Sequence, residues 1–196
     1  MTDEVIRAAS EADLERVTET LWLAFEDDPL WSWAFPEHPK LEPWWRFLIG
    51  SALEHGEVWI LGDHAAASVW IPPGCSELSQ EEEAQVEGLL EDLVGVRVAE
   101  VMQLLESFDS AHPRATPHYY LSLLGTHPDH RGAGLGMHLL AENLRLIDQQ
   151  RMPAYLESSN QVNVPRYESL GFQPVGEFST PGANHRATTM WRPPAQ

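Results

Sequence analysis

Apolar positions recur along this chain with two periods, one typical of helices and one typical of strands. A capping-box pattern at Ser10–Asp13 precedes apolar residues at helical spacing from Leu14 to Phe25, which predicts a first helix ending near Asp27. The next segment, residues 29–57, is rich in tryptophan and proline. It leaves two interpretations open, core packing around short helices or an apolar wall for a ligand.

Two strands and a long helical region are predicted in the middle of the chain. Val58–Leu61 and His64–Ile71 flank the pair Gly62-Asp63 and indicate a hairpin with a two-residue turn. Ser79–Glu82 has the capping-box pattern and opens an acidic helical region, which Gly95 is expected to break in two.

The second half of the chain mixes strands and helices. Tyr119–Leu124 has the composition of a buried strand, and apolar residues from Met137 to Ile147 follow one helical face. Further predicted elements are strands at Ala154–Glu157, Val175–Phe178 and Ala187–Trp191 and a short helix over Pro165–Phe172. Because the elements mix without strict alternation, we predict one α/β domain over residues 1–196, with a mixed, partly antiparallel central sheet and helices on both faces.

The junction between the strand ending at Leu124 and the following helix is rich in glycine. Glycines at positions 132, 134 and 136 allow positive φ and a close approach of the backbone to a ligand. The first amides of the new helix lack internal acceptors, and together with the helix dipole they suit an anion. A cationic side chain can add a charge-assisted contact to a phosphate. We therefore predict a diphosphate site, called the glycine loop below, formed by Arg131, Gly132, Ala133, Gly134, Leu135 and Gly136.

Several better-known motifs do not fit this sequence. A Walker loop needs Gly-Lys followed by Ser or Thr, whereas Gly136 is followed by Met137 and His138. The dinucleotide fingerprint needs G-x-G-x-x-G, but this loop has the spacing G-x-G-x-G. The chain also lacks the Gly-x-Ser-x-Gly motif of serine hydrolases. A simple glycine-rich surface turn remains the alternative to an anion site.

Composition limits the partners of the protein. The chain has 30 acidic and 12 basic residues and a formal charge of −18, so we expect neither nucleic acid nor an anionic membrane as a partner. The negative charge favours a cationic ligand, or it only keeps the protein in solution. His127 and His130 are spaced like a metal pair, but Pro128 between them makes converging ligands unfavourable, and we expect no metal.

The sequence also bears on the compartment of the protein. Residues 1–4 are acidic and lack the basic and apolar regions of a signal peptide, and no apolar run reaches membrane-spanning length. Cys75 is the only cysteine, which excludes a disulfide within the chain. We therefore expect a cytoplasmic protein.

Motifs in the second half of the chain resemble a known family. The set consists of the glycine loop, Glu157, Asn163 and the run Tyr167–Phe172. Together these motifs resemble the GCN5-related N-acetyltransferases, the GNAT superfamily. Within that superfamily, Ala65–Trp70, Ser158 and Asn163–Pro165 are most similar to the puromycin N-acetyltransferases. The resemblance weakens through residues 29–57 and 76–117.

The resemblance implies a co-substrate and roles for particular residues. Acetyl-CoA would lie along Leu124, Gly125 and Thr126, with its pantetheine amides paired to their backbone and its pyrophosphate on the glycine loop. Asn163 would contact the pantetheine arm, although Asn160 stands where many members of the family keep that asparagine.

Two side chains are candidates for proton transfer in such a reaction. Tyr167 would stand near the thioester sulfur as general acid, and Glu157 would remove the proton of the attacking ammonium group. Each has a structural alternative, since Tyr167 can be a core tyrosine and Glu157 a structural carboxylate.

The predicted function is acetyl transfer from acetyl-CoA to a primary amine of a small, aromatic or aminonucleoside-like molecule. Two alternatives remain open at this stage. A protein or peptide amine as acceptor would be favoured by an open acidic groove, and a noncatalytic acyl-CoA-binding module would be expected to lack Tyr167 and Glu157.

Overall fold

The computed structural model describes residues 5–195, so the acidic start of the chain at residues 1–4 lies outside the described residues. Seven strands form one sheet in the order β1-β2-β3-β4-β5-β7-β6. The strands are β1 (Ile6–Ala8), β2 (Glu57–Leu61), β3 (Ala66–Ile71), β4 (Tyr119–Thr126), β5 (Ala154–Ser158), β6 (Gln173–Ser179) and β7 (Arg186–Arg192). The α-helices are α1 (Leu14–Ala24), α2 (Pro29–Ala34), α3 (Leu41–His55), α4 (Gln80–Val94), α5 (Val98–Ala111), α6 (Leu135–Gln149) and α7 (Val164–Glu168).

The sheet opens between β4 and β5, its one parallel pair of neighbours within residues 5–195. Their pairing covers only Tyr119–Leu121 against Ala154–Leu156. β4 continues to Thr126 and β5 to Ser158, so the two strands separate beyond the paired segment. This separation leaves one edge of the last five residues of β4 without a neighbouring strand among the described residues.

A β-bulge in β4 changes the face that its side chains meet. Val69 of β3 pairs with Leu123 and Trp70 pairs with Leu121, which leaves Ser122 as an extra residue on β4. Leu121 packs against α6, whereas Leu123 packs in the core on the opposite face of the sheet. Two side chains that regular alternation would direct to the same face therefore lie on opposite faces.

Helices cover both faces of the sheet, as the sequence predicts. On one face, α1 packs on β3 and β4, α3 packs on β2 and β3, and α5 packs on β6. The core on this face contains buried residues such as Leu21, Ile49 and Leu90. On the other face, α6 packs against β2, β3 and β4, and its Leu140 and Leu144 belong to the core there. The mixed, partly antiparallel α/β sheet is confirmed. Within residues 5–195, no helix combines the length and the apolar character that crossing a membrane requires.

Two predicted boundaries are wrong. The turn between β2 and β3 covers Gly62–Ala65 instead of two residues, and the Ala65 amide donates to the Leu61 carbonyl at 3.0 Å. His64, predicted to begin the strand, has a φ of 61° and lies 2.9 Å through its buried Nε2 from Asp13 Oδ1. This tertiary contact favours the wider turn.

The first helix ends at Ala24 and not near Asp27. The Arg131 guanidinium donates to the carbonyls of Leu23 and Ala24, at 3.3 and 3.1 Å, and so satisfies groups that a longer helix would have used itself. The predicted break of the acidic helical region at Gly95 is confirmed, because α4 ends at Val94 and Gly95 has a φ of 56°.

Candidate active site

A cavity of about 1620 Å³ begins where β4 and β5 separate. Its lining includes Leu124, Gly125, Thr126, Glu157 and most of the glycine loop, so residues distant in sequence meet around one space. Residues of α2, α3, α5, α7 and the loop that follows β3 also line this space.

The glycine loop forms the left-handed turn that the sequence predicts. Gly132 and Gly134 have φ values of 87° and 75°, and Gly134 is the N-cap residue of α6 without a side chain to cap the helix. The first amides of α6 are therefore available to an anion. Gly136 lies so close to β4 that a Cβ there would be 2.6 Å from Thr126 Oγ1. Because the glycines carry no side chains, the backbone of the loop is uncovered, and a diphosphate can approach its amides.

Arg131 also makes structural contacts that the sequence does not show. Besides capping α1, its guanidinium lies 3.9 Å from the Asp27 carboxylate and remains about half exposed at the cavity wall. A guanidinium has five N–H donors, so these contacts leave others free for a phosphate.

The end of β4 is closely packed on one side. A Cβ at Gly125 would lie 2.6 Å from the Ala24 Cβ and 3.0 Å from Leu21 Cδ2, so α1 needs glycine at this position. α1 covers one side of Leu124, Gly125 and Thr126. Because no strand of the described residues pairs with these residues on the β5 side, that backbone edge of β4 faces the cavity.

Glu157 is a carboxyl group removed from water. Its Oε1 atom is buried and has no hydrogen-bond partner among the described residues. Burial raises the pKa of Glu157 to about 8, the negative charge of Glu77 acts in the same direction, and the nearby hydroxyls of Tyr155 and Tyr120 oppose the increase. A carboxyl group with this pKa can exchange a proton near neutral pH.

Tyr167 lies on α7 at the same cavity and packs on Phe172, with ring centroids 6.2 Å apart. Burial raises the pKa of its hydroxyl to about 12, and the charge of Asp28 contributes to the increase. The phenol is therefore protonated at neutral pH, which is the form that a general acid requires.

The two candidate asparagines both lie at the cavity but have different partners. Asn160 Oδ1 accepts a hydrogen bond from the Val162 amide at 3.1 Å. Asn163 Oδ1 accepts one from Arg166 at 3.0 Å. Each keeps its amide NH₂ group for a ligand, so this geometry leaves both as candidates.

Sequence reasoning missed two carboxyl groups of this cavity, buried Asp28 and partly buried Glu77. Asp28 caps α2 by accepting from the amides of Leu30 and Trp31, and it also accepts from Ser159 Oγ at 2.6 Å. Burial raises its pKa. Glu77, in the loop after β3, accepts from Ser122 Oγ, and burial raises its pKa too. The proline-rich loop sequence gave no signal for Glu77, because only the tertiary fold brings it to the bulge of β4.

A pair of histidines closes one side of the cavity. The Nε2 atoms of His118 and His112 are 3.1 Å apart, and His118 Nδ1 lies 2.7 Å from the Thr116 carbonyl. Burial and the neighbouring His118 lower the pKa of His112 to about 4. His112 is therefore neutral at physiological pH.

The aromatic segment at residues 29–57 belongs mainly to the core. Trp44 and Trp45 are 2% and 0% exposed, and Trp31 packs edge-on against Trp45 at 4.6 Å and stacks on Phe108 at 5.8 Å. The same three tryptophans also line the cavity. Both interpretations of the segment therefore apply, since the rings pack against one another and form the inner wall.

His127 and His130, which precede the glycine loop, make local contacts. His127 Nδ1 accepts from the Asp129 amide at 3.3 Å, and the rings of His127 and His130 are 5.9 Å apart. Within residues 5–195, no group of three or more His, Cys, Asp or Glu side chains is arranged to hold a metal ion.

Comparison with known proteins gives this geometry a family. A profile of the acetyltransferase (GNAT) family matches residues 13–172, which include the glycine loop and Tyr167. The chain belongs to this family. Enzymes of the GNAT family use acetyl-CoA as co-substrate.

A curated relative agrees with this assignment. A segment of 52 residues is 48% identical to the L-amino acid N-acyltransferase MnaT of Escherichia coli (strain K12), and it covers 24% of this chain and 28% of that protein. The match thus spans about a quarter of the length of that relative.

Solved structures extend the similarity over the whole fold. A structure from Corynebacterium glutamicum, described as histone acetyltransferase HPA2 and related acetyltransferase, is 22% identical with a TM-score of 0.71, covering 100% of this chain and 98% of its own. Arylalkylamine N-acetyltransferase 2 from Aedes aegypti is 15% identical with a TM-score of 0.71, covering 98% and 99%. The polyamine N-acetyltransferase of Drosophila melanogaster is 17% identical with a TM-score of 0.67, covering 97% and 100%. At these identities the similarity shows the GNAT fold.

Proposed function

We propose that this GNAT enzyme transfers the acetyl group of acetyl-CoA to a primary amine of a small molecule with an aromatic or otherwise apolar body. The main support is one observation. The carboxyl group of Glu157, whose Oε1 has no hydrogen-bond partner among the described residues, and the phenol of Tyr167 lie at the same cavity as the glycine loop.

The proposed reaction begins with the acceptor amine. Glu157, in its deprotonated form, takes a proton from the ammonium group directly or through water, and the neutral nitrogen attacks the thioester carbonyl. A new C–N bond forms, and the carbonyl oxygen gains the electron pair. When the tetrahedral intermediate collapses, the C–S bond breaks and the thiolate of CoA takes a proton from Tyr167. The Tyr167 phenolate then receives the remaining extra proton of the nitrogen, and Glu157 returns its proton to water.

Backbone groups are proposed to stabilise the negative charge of the intermediate. The free edge of Leu124–Thr126 offers amides that no strand occupies within the described residues. A preorganised amide can bind an oxyanion at low cost, because it does not have to reorient during the reaction. The pyrophosphate of acetyl-CoA would bind the glycine loop, and Asn163 would contact its pantetheine arm.

The acceptor is proposed from the shape and charge of the cavity. Trp31 and the other rings of its inner wall suit an apolar or aromatic body, and the charge of −18 favours a cation over an anion. The sequence motifs most similar to the puromycin N-acetyltransferases make puromycin the first compound to test.

A panel of amines tests the proposal. Purified enzyme is given acetyl-CoA with aromatic amines, aminonucleosides, a peptide N-terminus and a lysine peptide, and thiol release is measured. We expect acetylation of at least one small aromatic amine or aminonucleoside. Efficient modification of only the peptide substrates would replace the small-molecule proposal with a protein acceptor.

A further inference from the structure

The cavity holds two partly buried carboxyl groups, those of Glu77 and Glu157, that lack a positive partner in the described part of the chain. Neither Glu77 nor Glu157 forms an ion pair with any residue in the described range 5–195. Both lie next to Tyr120, whose pKa is raised by burial and by the charges of Glu157 and Glu77. Two carboxyl groups in one desolvated space are costly unless they bind protons or cations.

The arginines that line this cavity are already engaged elsewhere. Arg114 pairs with Asp109, Arg131 binds the end of α1, and Arg166 donates to Asn163 Oδ1 at 3.0 Å. The imidazole of His112, at the same cavity, is neutral because burial lowers its pKa to about 4. None of these groups pairs with Glu77 or Glu157, so both carboxyl groups are open to a cationic group of a ligand.

The bulge of β4 gives Glu77 a fixed direction. Ser122, the extra residue of the bulge, donates its hydroxyl to Glu77 Oε1, and Ser51 Oγ donates to the Glu77 backbone carbonyl at 2.8 Å. These two hydrogen bonds fix the side chain and the backbone of Glu77. The second carboxylate oxygen, Oε2, has no side-chain partner within hydrogen-bond distance in the described structure.

Three buried polar atoms at this cavity are available to a ligand. Oε1 of Glu157 and the indole nitrogens of Trp44 and Trp45 are buried without a hydrogen-bond partner among the described residues. All three residues line the same space. Unpaired buried polar atoms are rare in native proteins, and a ligand is one of their regular explanations.

We propose that Glu77 binds a second cationic group of the acceptor, so that the preferred substrate carries an amino or guanidinium group besides the amine that is acetylated. The inference rests on the proposed function, because it assigns the reacting amine to Glu157. Glu77 is then a specificity-determining residue, and Ser122 positions it.

A matched pair of acceptors isolates the second charge. Phenethylamine with a para-aminomethyl group is compared with phenethylamine carrying a para-methyl group, since the two differ in little besides the second ammonium. A charge-assisted hydrogen bond is worth about 1.5–3 kcal/mol, so we expect kcat/KM of the wild type to favour the dication by about 10- to 100-fold. An equal kcat/KM for both compounds would overturn the proposal.

Two variants assign the preference to Glu77. Glu77→Gln keeps an oxygen that accepts from Ser122, and we expect it to lose most of the preference. Because the charge of Glu77 also raises the pKa of Glu157, the readout is the ratio of kcat/KM for the two acceptors, in which an effect on the base common to both cancels. Glu106→Gln removes the same charge from an exposed carboxylate of the cavity lining and is expected to keep the preference. A preference that survives in Glu77→Gln overturns the role of Glu77. Unchanged acetyl-CoA binding shows that each variant is folded.

Calorimetric binding of both acceptors to the complex with CoA separates this inference from the proposed function. A dication that binds more tightly but is never acetylated would support the role of Glu77 and contradict the proposed reaction. Acetylation of both compounds with equal dissociation constants would contradict only the role of Glu77. A guanidinium analogue of the para-aminomethyl compound shows which cation the cavity prefers.

Discussion

Glu157 holds its proton more tightly than a carboxyl group in water, because burial disfavours its charged form. A base acts only when it is deprotonated. With a pKa of about 8 in the folded protein, Glu157 is mostly protonated at pH 6 and mostly ionised at pH 9.

We therefore expect kcat/KM to rise with pH and to level off above about 8. The measurement needs an acceptor whose amine stays protonated over the whole pH range, so that the reaction requires the base at every pH and the titration of the amine does not shape the profile. In Glu157→Gln, activity should fall by about 10²- to 10⁴-fold and the rising limb should disappear. An identical profile in this variant would return Glu157 to a structural role.

Tyr167 affects a different step of the reaction. Removal of its hydroxyl in Tyr167→Phe leaves the ring against Phe172 and takes away the proton for the departing thiolate. We expect kcat to fall by roughly 10²-fold with a nearly constant dissociation constant for acetyl-CoA. Thiol release at the wild-type rate would show that Tyr167 only packs in the core.

At the scale of elements, the junction of β4 and α6 is predicted to bind the co-substrate through its backbone. Gly134 has a φ of 75° and open space around its Cα, so valine at this position brings backbone strain and a side chain into the anion site. We expect Gly134→Val to weaken acetyl-CoA binding by at least 10-fold in calorimetric titration.

A matched control separates the ligand site from backbone strain. Gly182 lies in the loop between β6 and β7 with a φ of 66° and equally open surroundings. Gly182→Val should therefore carry a similar strain and bind acetyl-CoA normally. Equal affinities in the two valine variants would contradict the predicted role of the glycine loop.

A glycine also allows the close contact between α1 and β4. In Gly125→Ala the new methyl group would meet Ala24 at 2.6 Å, and we expect a loss of about 1–3 kcal/mol in the free energy of unfolding. Gly50, in the middle of α3, has open space around it, so Gly50→Ala should stabilise by up to about 1 kcal/mol. Urea denaturation measures both changes, and equal stabilities of the two variants would contradict this account of the packing.

At the scale of the whole molecule, the formal charge of −18 opposes the compact state. Screening extends over about 30 Å at 0.01 M salt and about 8 Å at 0.15 M. We expect the Tm in thermal denaturation to rise by a few degrees over this range at pH 7. The effect should shrink near the isoelectric point, about pH 4.7, where the net charge vanishes. A Tm that is independent of salt at pH 7 would show that the repulsion is locally compensated.

The sequence by itself determined features that depend on neighbours along the chain. The capping boxes at Ser10 and Ser79, the helix break at Gly95 and the positive φ of Gly132 and Gly134 follow from local conformational preferences. Periodicity likewise predicted the mixed sheet with helices on both faces. Such features need no knowledge of what a segment packs against.

Only the tertiary structure decided which groups meet across the fold. The four-residue turn at His64 depends on Asp13, the end of α1 depends on Arg131, and the bulge of β4 brings Ser122 to Glu77. The pKa of Glu157 follows from burial and from Glu77, 80 positions away in the sequence. Burial and charge proximity are properties of space, so local pattern predicted the elements, and packing determined the chemistry of the cavity.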